Sequence, residues 1–391
     1  MIVENVPLAR DHRLRKQAGS LLEAGCSVTV ICRRDGRNRD CVPGARVLDY
    51  PAPRDGSGPL AFAWEYLYSV VMAGFHLVRV LLGPGVDVVQ VSSTPDVYVP
   101  LLAPLRLLRR RIVFDFRDLS PEMFAARFGR RSGPIYRTLL LLERASLRLA
   151  DRVLVVNRSL ERVAIVRGGV RPDRISIVGN GPLLSRVARR PARPDLRGGR
   201  AHLCCWVGMI GPQDGVDLAL RSIAHLVHEL GRTDCSFVFV GVGDAVPQLR
   251  ELAAHLGIED WVCFPGWAEE DLVFDYLSSA DLGLEPNPED FVSPVKAMEY
   301  MAAGLPFVAF DILETRRLAR GAAAFAPLMD VAAFAHLVDE LLDDPRRRAV
   351  MGSSGQRLVR ESIAWECQRE RYLASVCDVD RGARTPTGVR P

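Results

Sequence analysis

The stretch LCCWVGMIGPQDG, residues 203–215, decides the fold of this chain. It opens with an apolar run, Leu203–Val207, that has the length and composition of a buried strand. A glycine-rich turn follows, and a helical pattern extends from Gly215 to Leu230. A strand, a turn at its carboxyl end and a helix predict one unit of a doubly wound parallel sheet.

The same alternation of strand and helix runs along the chain and predicts an α/β protein with two doubly wound domains. The expected strands are Ser27–Cys32, Val86–Val91, Arg111–Phe114, Arg152–Val156, Ile175–Val178, Leu203–Val207, Ser236–Val240, Trp261–Phe264, Leu282–Glu285, Pro306–Phe310 and Ala323–Ala326. Because ligands bind beyond the carboxyl ends of such strands, we expect the site in a cleft between the domains.

The composition along the chain sets the expected domain boundaries. Residues 1–180 form the first domain and residues 201–351 the second, joined by an Arg-, Pro- and Gly-rich linker at 181–200. Residues 352–377 are expected to form a helix that crosses back to the first domain. The polar tail, 378–391, is expected to be disordered.

Bulk composition excludes several classes of protein. The 391 residues are 48% hydrophobic and 25% charged, and a net charge of +4 argues against a dedicated nucleic-acid binder. Nine scattered cysteines without a CxxC pair indicate free thiols in a reducing cytoplasm and no metal site. His225 and His228 lie three apart on a helix, but no third ligand is near in sequence.

The apolar segment 60–82 has three possible interpretations. It is long enough to span a membrane. However, Glu65, His76 and Arg79 would be costly at depth, which makes a span the least favoured interpretation. A core helix beside the sheet comes first. A helix lying on a membrane surface comes second, because Trp64 and Phe75 suit an interface.

Polar or glycine-rich loops follow the strands of the second domain. We expect these loops to form a ligand site that includes Gly208, Gly211, Gln213, Gly215, Gly241, Gly243 and Trp267. Glycines there would let backbone amides approach a phosphate, and Trp267 would pack against a base. A tight strand-to-helix turn and a structural tryptophan are the alternative interpretations.

The segment SPVKAMEYMAAG, residues 293–304, places Lys296 and Glu299 on the first turns of a predicted helix. Lys296 is one of two lysines in the chain, so a compact ammonium is favoured over a guanidinium. The helix is expected to start at Ser293, Pro294 and Val295, with Ser293 as the N-cap and free amides suited to an anion. A carboxylate at Glu299 suits a sugar diol. Together these features indicate a nucleotide-sugar site.

In the first domain, DFRD at residues 115–118 follows a predicted strand. Arg117 and Asp118 are expected to face the cleft and act there. The alternative is a salt-bridged cap at the strand end. His12 is expected either to reach an acceptor or to cap its helix.

Taken together, these segments resemble the family 4 glycosyltransferases, from residue 1 to about residue 375. The resemblance rests on WVGMIGPQDGVDLAL (206–220), FVFVGVGD (237–244), FPGW (264–267) and SPVKAMEYMAAGLPFVAFD (293–311), and on VFDFRDLSPE (113–122) in the first domain. It implies the GT-B architecture, with an acceptor domain facing a donor domain, and retention of anomeric configuration. It points to the subgroup with an SPxKxxEYMAxG segment.

The resemblance implies roles for individual residues. Glu299 matches the glutamate that holds the nucleotide ribose hydroxyls, whereas the family's other glutamate falls at Phe291. The cations that bind phosphate match Met209 and Asp214, so Lys296 becomes the candidate replacement, assisted by Arg117. Glu289 or Asp290 would compensate for Phe291. We expect Lys296→Ala to cut turnover with little loss of fold stability.

The sequence therefore predicts transfer of a sugar from a UDP or GDP sugar to a hydroxyl acceptor, with no permanently bound cofactor and no metal. A glycan or lipid-linked acceptor, in envelope glycan assembly, is expected. The protein is expected in the cytoplasm, with peripheral contact at the inner membrane face. Two alternatives remain, a nucleotide-sugar 2-epimerase and a non-catalytic partner subunit.

Overall fold

The computed structural model describes residues 1–4, 6–52, 59–94, 96–129, 131–187, 190–289 and 293–377. The described residues divide into two compact units, one made of Met1–Gly179 with residues 368–377, the other of Asn180–Cys367. Each unit is a Rossmann-like parallel sheet flanked by helices. The predicted α/β class, with two doubly wound parallel units, is confirmed.

The first unit alternates strands and helices from its amino end. Its described strands are β1 Thr29–Arg33, β2 Arg46–Tyr50, β3 Val88–Ser92, β4 Arg111–Phe116, β5 Arg152–Val155 and β6 Ile175–Ile177. Its described helices before the chain leaves the unit are α1 His12–Glu23, α2 Pro59–Leu82, α3 Val99–Leu107, α4 Ser120–Phe128, α5 Pro134–Leu149 and α6 Arg158–Val166.

All the strand pairs in the first unit are parallel among the residues described. β1 pairs with β2, and β3, β4, β5 and β6 follow one another in order. Ile2 forms bridges to Ile31 of β1 and Val91 of β3, so the amino terminus joins the two groups of strands. The central strands are buried on both faces, which explains their continuous apolar runs.

The second unit repeats the pattern. Its described strands are β7 His202–Val207, β8 Cys235–Val240, β9 Val262–Gly266, β10 Leu282–Glu285, β11 Phe307–Phe310 and β12 Ala323–Ala326. Its described helices are α7 Val216–His228, α8 Val246–His255, α9 Glu270–Ser279, α10 Val295–Ala303, α11 Leu313–Ala319, α12 Val331–Asp343 and α13 Pro345–Leu358.

Strand order in the second unit fixes where a ligand can bind. The described parallel sheet runs β12-β11-β10-β7-β8-β9. From β7 the chain adds strands toward one edge, and from β10 it adds them toward the other. The order therefore reverses between β7 and β10. In open α/β sheets, the crevice at such a reversal, beyond the carboxyl ends of the strands, is the usual ligand site.

Residues 181–200, predicted to be a linker, pack instead on the second unit where the structure describes them. Arg190 and Arg193 both lie within salt-bridge distance of Asp275, and Arg197 lies 2.7 Å from Asp281. Leu196 packs against the core beside α9 and α10. Ion pairs and apolar contacts therefore hold a stretch whose composition resembles a linker.

The carboxyl-terminal part differs from the single helix expected at 352–377. After α13, a π-helical turn spans Val359–Ile363, and α14 runs Trp365–Cys377. The division between the units falls within the first turn of α14. The predicted disordered tail, 378–391, lies outside the described residues.

Candidate functional site

The candidate donor site lies at the reversal between β7 and β10 of the second unit. Asp214 comes from the turn after β7, Glu285 ends β10, and Lys296 is the second residue of α10. These three side chains belong to different segments, and the packing of the sheet brings their charges together. The sequence singled out Lys296 but did not predict that Asp214 and Glu285 lie beside it.

Lys296 is largely buried and paired. Its Nζ atom donates to Oδ1 of Asp214 at 3.0 Å and lies 4.7 Å from the centroid of the Trp206 ring, a cation–π contact. Burial alone would lower the pKa of Lys296, but the carboxylates of Glu285 and Asp214 outweigh it and raise that pKa above its ordinary value. Lys296 therefore stays charged at neutral pH.

Glu285 is a site residue that the sequence analysis missed. Its side chain is 2% exposed, and burial raises its pKa while Lys296 acts in the opposite direction. Within the described residues, its Oε2 atom has no hydrogen-bond partner. The signal available in the sequence was a carboxylate that directly ends the apolar run LGLE. Two acidic groups thus surround one lysine.

The glycine-rich turn after β7 uses its amides internally. Gly208 N donates to Val240 O at 3.0 Å, Ile210 N to Val242 O at 2.9 Å and Gly211 N to Asp214 Oδ2 at 3.0 Å. These three N–H groups already have acceptors, so the phosphate role expected of the loop amides does not hold for them. The side chain of Gln213 folds beside Gly211.

Gly215, Gly241 and Gly243 have a packing role. A Cβ on Gly241 would lie 1.8 Å from Gly208 O, and one on Gly243 would lie 2.0 Å from Ile210 O. A Cβ on Gly215, whose φ is 69°, would lie 2.2 Å from Pro286 O. The loops after β7, β8 and β10 can therefore pack backbone against backbone, as the tight-turn interpretation requires.

The helix start differs from the predicted one. α10 begins at Val295, its N-cap is Pro294, and no side chain caps it. Ser293 lies one residue earlier, and its Oγ atom has no hydrogen-bond partner among the described residues. The serine cap is therefore wrong, because the Val295 amide instead bonds to the Ser293 carbonyl at 2.8 Å. Lys296 and Glu299 lie on the first turns, as expected.

Glu299 lies one turn after Lys296 on α10, with its side chain half-buried. Trp267, after β9, is 53% exposed, so about half of its surface is accessible to solvent. Phe291 and Asp290 lie outside the described residues. Glu289 is held by its backbone, since its amide donates to Asn287 Oδ1 at 2.8 Å.

The DFRD segment of the first unit forms a buried ion-pair network. Arg13 contacts Asp115 through two nitrogens, at 2.8 and 3.0 Å. Arg117 contacts Asp115 at 2.8 Å and Asp11 at 2.6 Å. Although burial opposes ionisation, Arg13 and Arg117 hold the pKa of Asp115 well below its ordinary value. The charge of Arg117 is thus balanced by two carboxylates, as in the alternative interpretation.

Asp118 and His12 lie near this network. Burial raises the pKa of Asp118, and its backbone amide donates to Ser93 Oγ at 3.3 Å. His12 is exposed at the start of α1, with its Nδ1 atom 2.7 Å from Arg15. The N-cap of α1 is Asp11, which accepts from Leu14 N. In the residues that the structure describes, no group of three His, Cys, Asp or Glu side chains could hold a metal ion.

Comparison with known proteins matches each of the two units to a family model. Residues 11–181 match the family model described as a glycosyl transferase 4-like domain, and residues 201–344 match the model described as glycosyl transferases group 1. A D-inositol 3-phosphate glycosyltransferase of Thermomonospora curvata is 30% identical over 268 residues. That match covers 62% of this chain and 60% of the relative's length.

Solved structures with the same fold cover nearly the whole chain. Sucrose-phosphate synthase of Thermosynechococcus elongatus superposes with a TM-score of 0.75 at 18% identity, over 92% of this chain and 90% of that one. Anabaena HepE, solved with UDP-glucose, superposes with a TM-score of 0.73 at 16% identity, over 96% of this chain and 98% of its own. At these identities the likeness concerns the fold.

Proposed function

We infer that this chain, which belongs to the GT-B glycosyltransferases, transfers a sugar from a nucleoside diphosphate donor to a hydroxyl acceptor. One observation carries the proposal: Lys296 and Glu299 lie one helical turn apart at the strand-order reversal of the second unit. A cation and a carboxylate at that spacing match the two anchoring tasks of a nucleotide sugar, its diphosphate and its ribose diol. The family matches on both units support the same activity.

Glu299 is assigned to the ribose. An ionised carboxylate accepts two hydrogen bonds from adjacent hydroxyl groups, and charge-assisted hydrogen bonds are the stronger kind. Trp267, exposed at the end of β9, is assigned to the base. UDP and GDP sugars both satisfy these contacts, and the Anabaena neighbour was solved with UDP-glucose.

Lys296 is assigned to the diphosphate, and its pairing sets how it acts. With Asp214 at 3.0 Å and the Glu285 carboxylate nearby, the positive charge of Lys296 is already offset by acidic groups. A diphosphate must therefore compete with Asp214 for the ammonium, which weakens ground-state binding. In the transition state the leaving diphosphate gains negative charge. Lys296 therefore attracts it more strongly there than in the bound substrate, and this difference accelerates the reaction.

Retention of configuration is part of the proposal. No side chain of the described second unit is needed as a nucleophile if the leaving diphosphate stays on the face that the acceptor attacks. The acceptor hydroxyl then gives its proton to a diphosphate oxygen as the glycosidic bond forms. The protein orients both substrates and stabilises the developing charge.

Acceptor binding is assigned to the first unit. The acceptor itself is assigned to the polyols, glycans or glycolipids. Relatives named D-inositol 3-phosphate glycosyltransferase and a GDP-mannose-dependent phosphatidylinositol monomannoside mannosyltransferase support an acceptor of this kind. An envelope glycan role follows from the same class. The 2-epimerase alternative is not favoured, because an epimerase needs an acid–base side chain and the Asp115 carboxylate is held between two arginines.

The test is a panel of UDP and GDP sugars. A true donor binds only the folded protein and raises its melting temperature. Glu299→Gln should reduce that shift, whereas the matched control Glu251→Gln, on the exposed face of α8, should keep it. Product formation is then assayed with inositol phosphate and glycolipid acceptors. Donor binding without turnover would favour the non-catalytic subunit; no binding by any nucleotide sugar would overturn the proposal.

A further inference from the structure

Helix α2 of the first unit has apolar side chains on two opposite faces. One face packs inward: Ala73, Leu77 and Val80 are buried. The other face is a stripe of exposed large side chains, Trp64, Leu67, Val71, Phe75, Val78 and Leu82, which we call the α2 stripe. Each of the six is between 52% and 84% exposed. A helix that is apolar on both sides needs a second partner.

The spacing of the α2 stripe places it on one face. Successive members are three or four residues apart, the separation of neighbours on one side of a helix. At 1.5 Å per residue the stripe extends about 27 Å. Scattered exposed apolar residues are normal, but a contiguous row of this length marks an interaction surface.

The surface continues onto α3. Leu101 of α3 lies 3.0 Å from where a Cβ on Gly74 of α2 would be, so the two helices are neighbours. The strands that follow them pair at Val88 and Arg111, which brings the carboxyl ends of both helices to one edge of the sheet. Leu107 and Leu108 are exposed at the end of α3. Both helices thus present leucines at this edge.

Basic residues surround this edge. Arg79 is exposed on α2, with its guanidinium 5.7 Å from the Phe75 ring centroid, and Arg106 and Arg109 are exposed at the end of α3. Arg106 also pairs with Asp151 at 3.0 Å. The one carboxylate on α2, Glu65, is paired with Arg33. The α2 stripe is therefore an apolar row with arginines beside it, and none of its members is acidic.

We propose that the α2 stripe docks on the surface of an anionic lipid bilayer, with the helix axis in the membrane plane and the arginines at the headgroups. An apolar row with basic residues beside it is the pattern of an interfacial helix. Trp64–Leu82 is apolar and long enough to span a bilayer by length and composition. However, spanning would remove the buried face of α2 from the core.

Charge also separates a bilayer from a second copy of the chain. Two stripes facing each other would bring apolar rows together, but the one carboxylate of α2, Glu65, already pairs with Arg33 rather than with Arg79. Anionic headgroups supply the opposite charge, and each arginine near the membrane surface should raise the affinity roughly fivefold. The surface lies on α2 and α3, and donor binding is assigned elsewhere, so each proposal can fail without the other.

The test is flotation of the full chain with vesicles of phosphatidylcholine alone or mixed with phosphatidylglycerol. The wild-type protein should float with the anionic vesicles. Trp64→Ser combined with Phe75→Ser should weaken that binding at least about tenfold. The matched control is Val350→Ser, which removes an equally exposed apolar side chain from α13 and should change nothing. Arg79→Gln with Arg109→Gln should weaken binding to anionic vesicles about twenty-five-fold.

Two checks make the outcome decisive. Melting temperature and nucleotide-induced stabilisation of each variant establish that it is folded. Sedimentation velocity without lipid measures self-association. Flotation of the stripe variant at the wild-type level would overturn the proposal. A wild-type dimer that the stripe substitutions dissociate, with no flotation, would assign the surface to a second copy and overturn it equally.

Discussion

The Nζ atom of Lys296 lies 3.0 Å from Oδ1 of Asp214, a residue 82 positions earlier in the chain. This pair joins the second residue of α10 to the turn after β7, across the strand-order reversal. Asp214 also accepts from Gly211 N, so one carboxylate orders the loop and holds the lysine. The candidate donor site and the local fold therefore share the same contact.

Replacing Lys296 should affect stability as well as turnover. Lys296→Met leaves the buried Asp214 carboxylate without its partner, and breaking a buried pair costs about 3–5 kcal/mol. The sequence had led us to expect little loss of stability on replacing Lys296. Its pairing with Asp214 corrects that expectation. Chemical denaturation should show a lower unfolding free energy, and steady-state kinetics should show a lower kcat.

The double variant Lys296→Met with Asp214→Asn separates the two effects. It removes the unpaired charge and should recover much of the lost stability while turnover stays low. Recovery of turnover along with stability would mean that Lys296 has a structural role alone.

Removing the charge of Glu299 should weaken nucleotide binding with little change in fold. Glu299→Gln replaces a charged acceptor by a neutral amide, and hydrogen bonds to charged groups contribute about 1.5–3 kcal/mol. The dissociation constant for the nucleoside diphosphate should therefore rise by about tenfold to a hundredfold. Calorimetric titration measures it. Equal affinities of wild type and variant would contradict the ribose assignment.

Gly241→Ala should destabilise the second unit. Its added Cβ would lie 1.8 Å from Gly208 O, and φ is 146°, where side chains are strained. Gly19→Ala is the matched control: it lies within α1 with open space around the new methyl and should stabilise by about 0.5–1 kcal/mol. Thermal unfolding distinguishes them. Similar melting temperatures for the two variants would count against backbone-to-backbone packing of the loops.

The pH dependence of stability should include a contribution from Asp96. It is 1% exposed, Ser120 Oγ donates to it at 2.7 Å, and burial raises its pKa to about 7. Between about pH 4 and pH 7 the folded carboxyl binds its proton while the unfolded one has lost it, so stability falls as pH rises through that window.

Asp96→Asn tests this contribution. The neutral amide should gain stability relative to wild type between pH 4 and pH 7, by at most about 4 kcal/mol, and the gain should level off above pH 7. Melting temperatures across pH measure it. The exposed Asp260→Asn serves as the control. Parallel curves for wild type and Asp96→Asn would refute the assignment.

Local patterns predicted most of the architecture. The strands Leu282–Glu285 and Ala323–Ala326 have the predicted bounds, because short apolar runs between turns are a local signal. β2 was missed, since its five residues lie at an edge and four of them are partly or fully exposed. The segment 181–200 resembled a linker because the aspartates that hold its arginines lie about eighty residues away.

The sequence by itself determined the α/β class, the glycine turns after the strands and the placement of Lys296 and Glu299 one turn apart. Helical and strand periodicity and turn chemistry act over a few residues, so they can be recognised from the sequence alone. Only the tertiary structure decided that Lys296 is paired with Asp214, that Glu285 is buried beside them and that one face of α2 is exposed. Burial and the electrostatic environment of a charge depend on residues that are distant in sequence and adjacent in space.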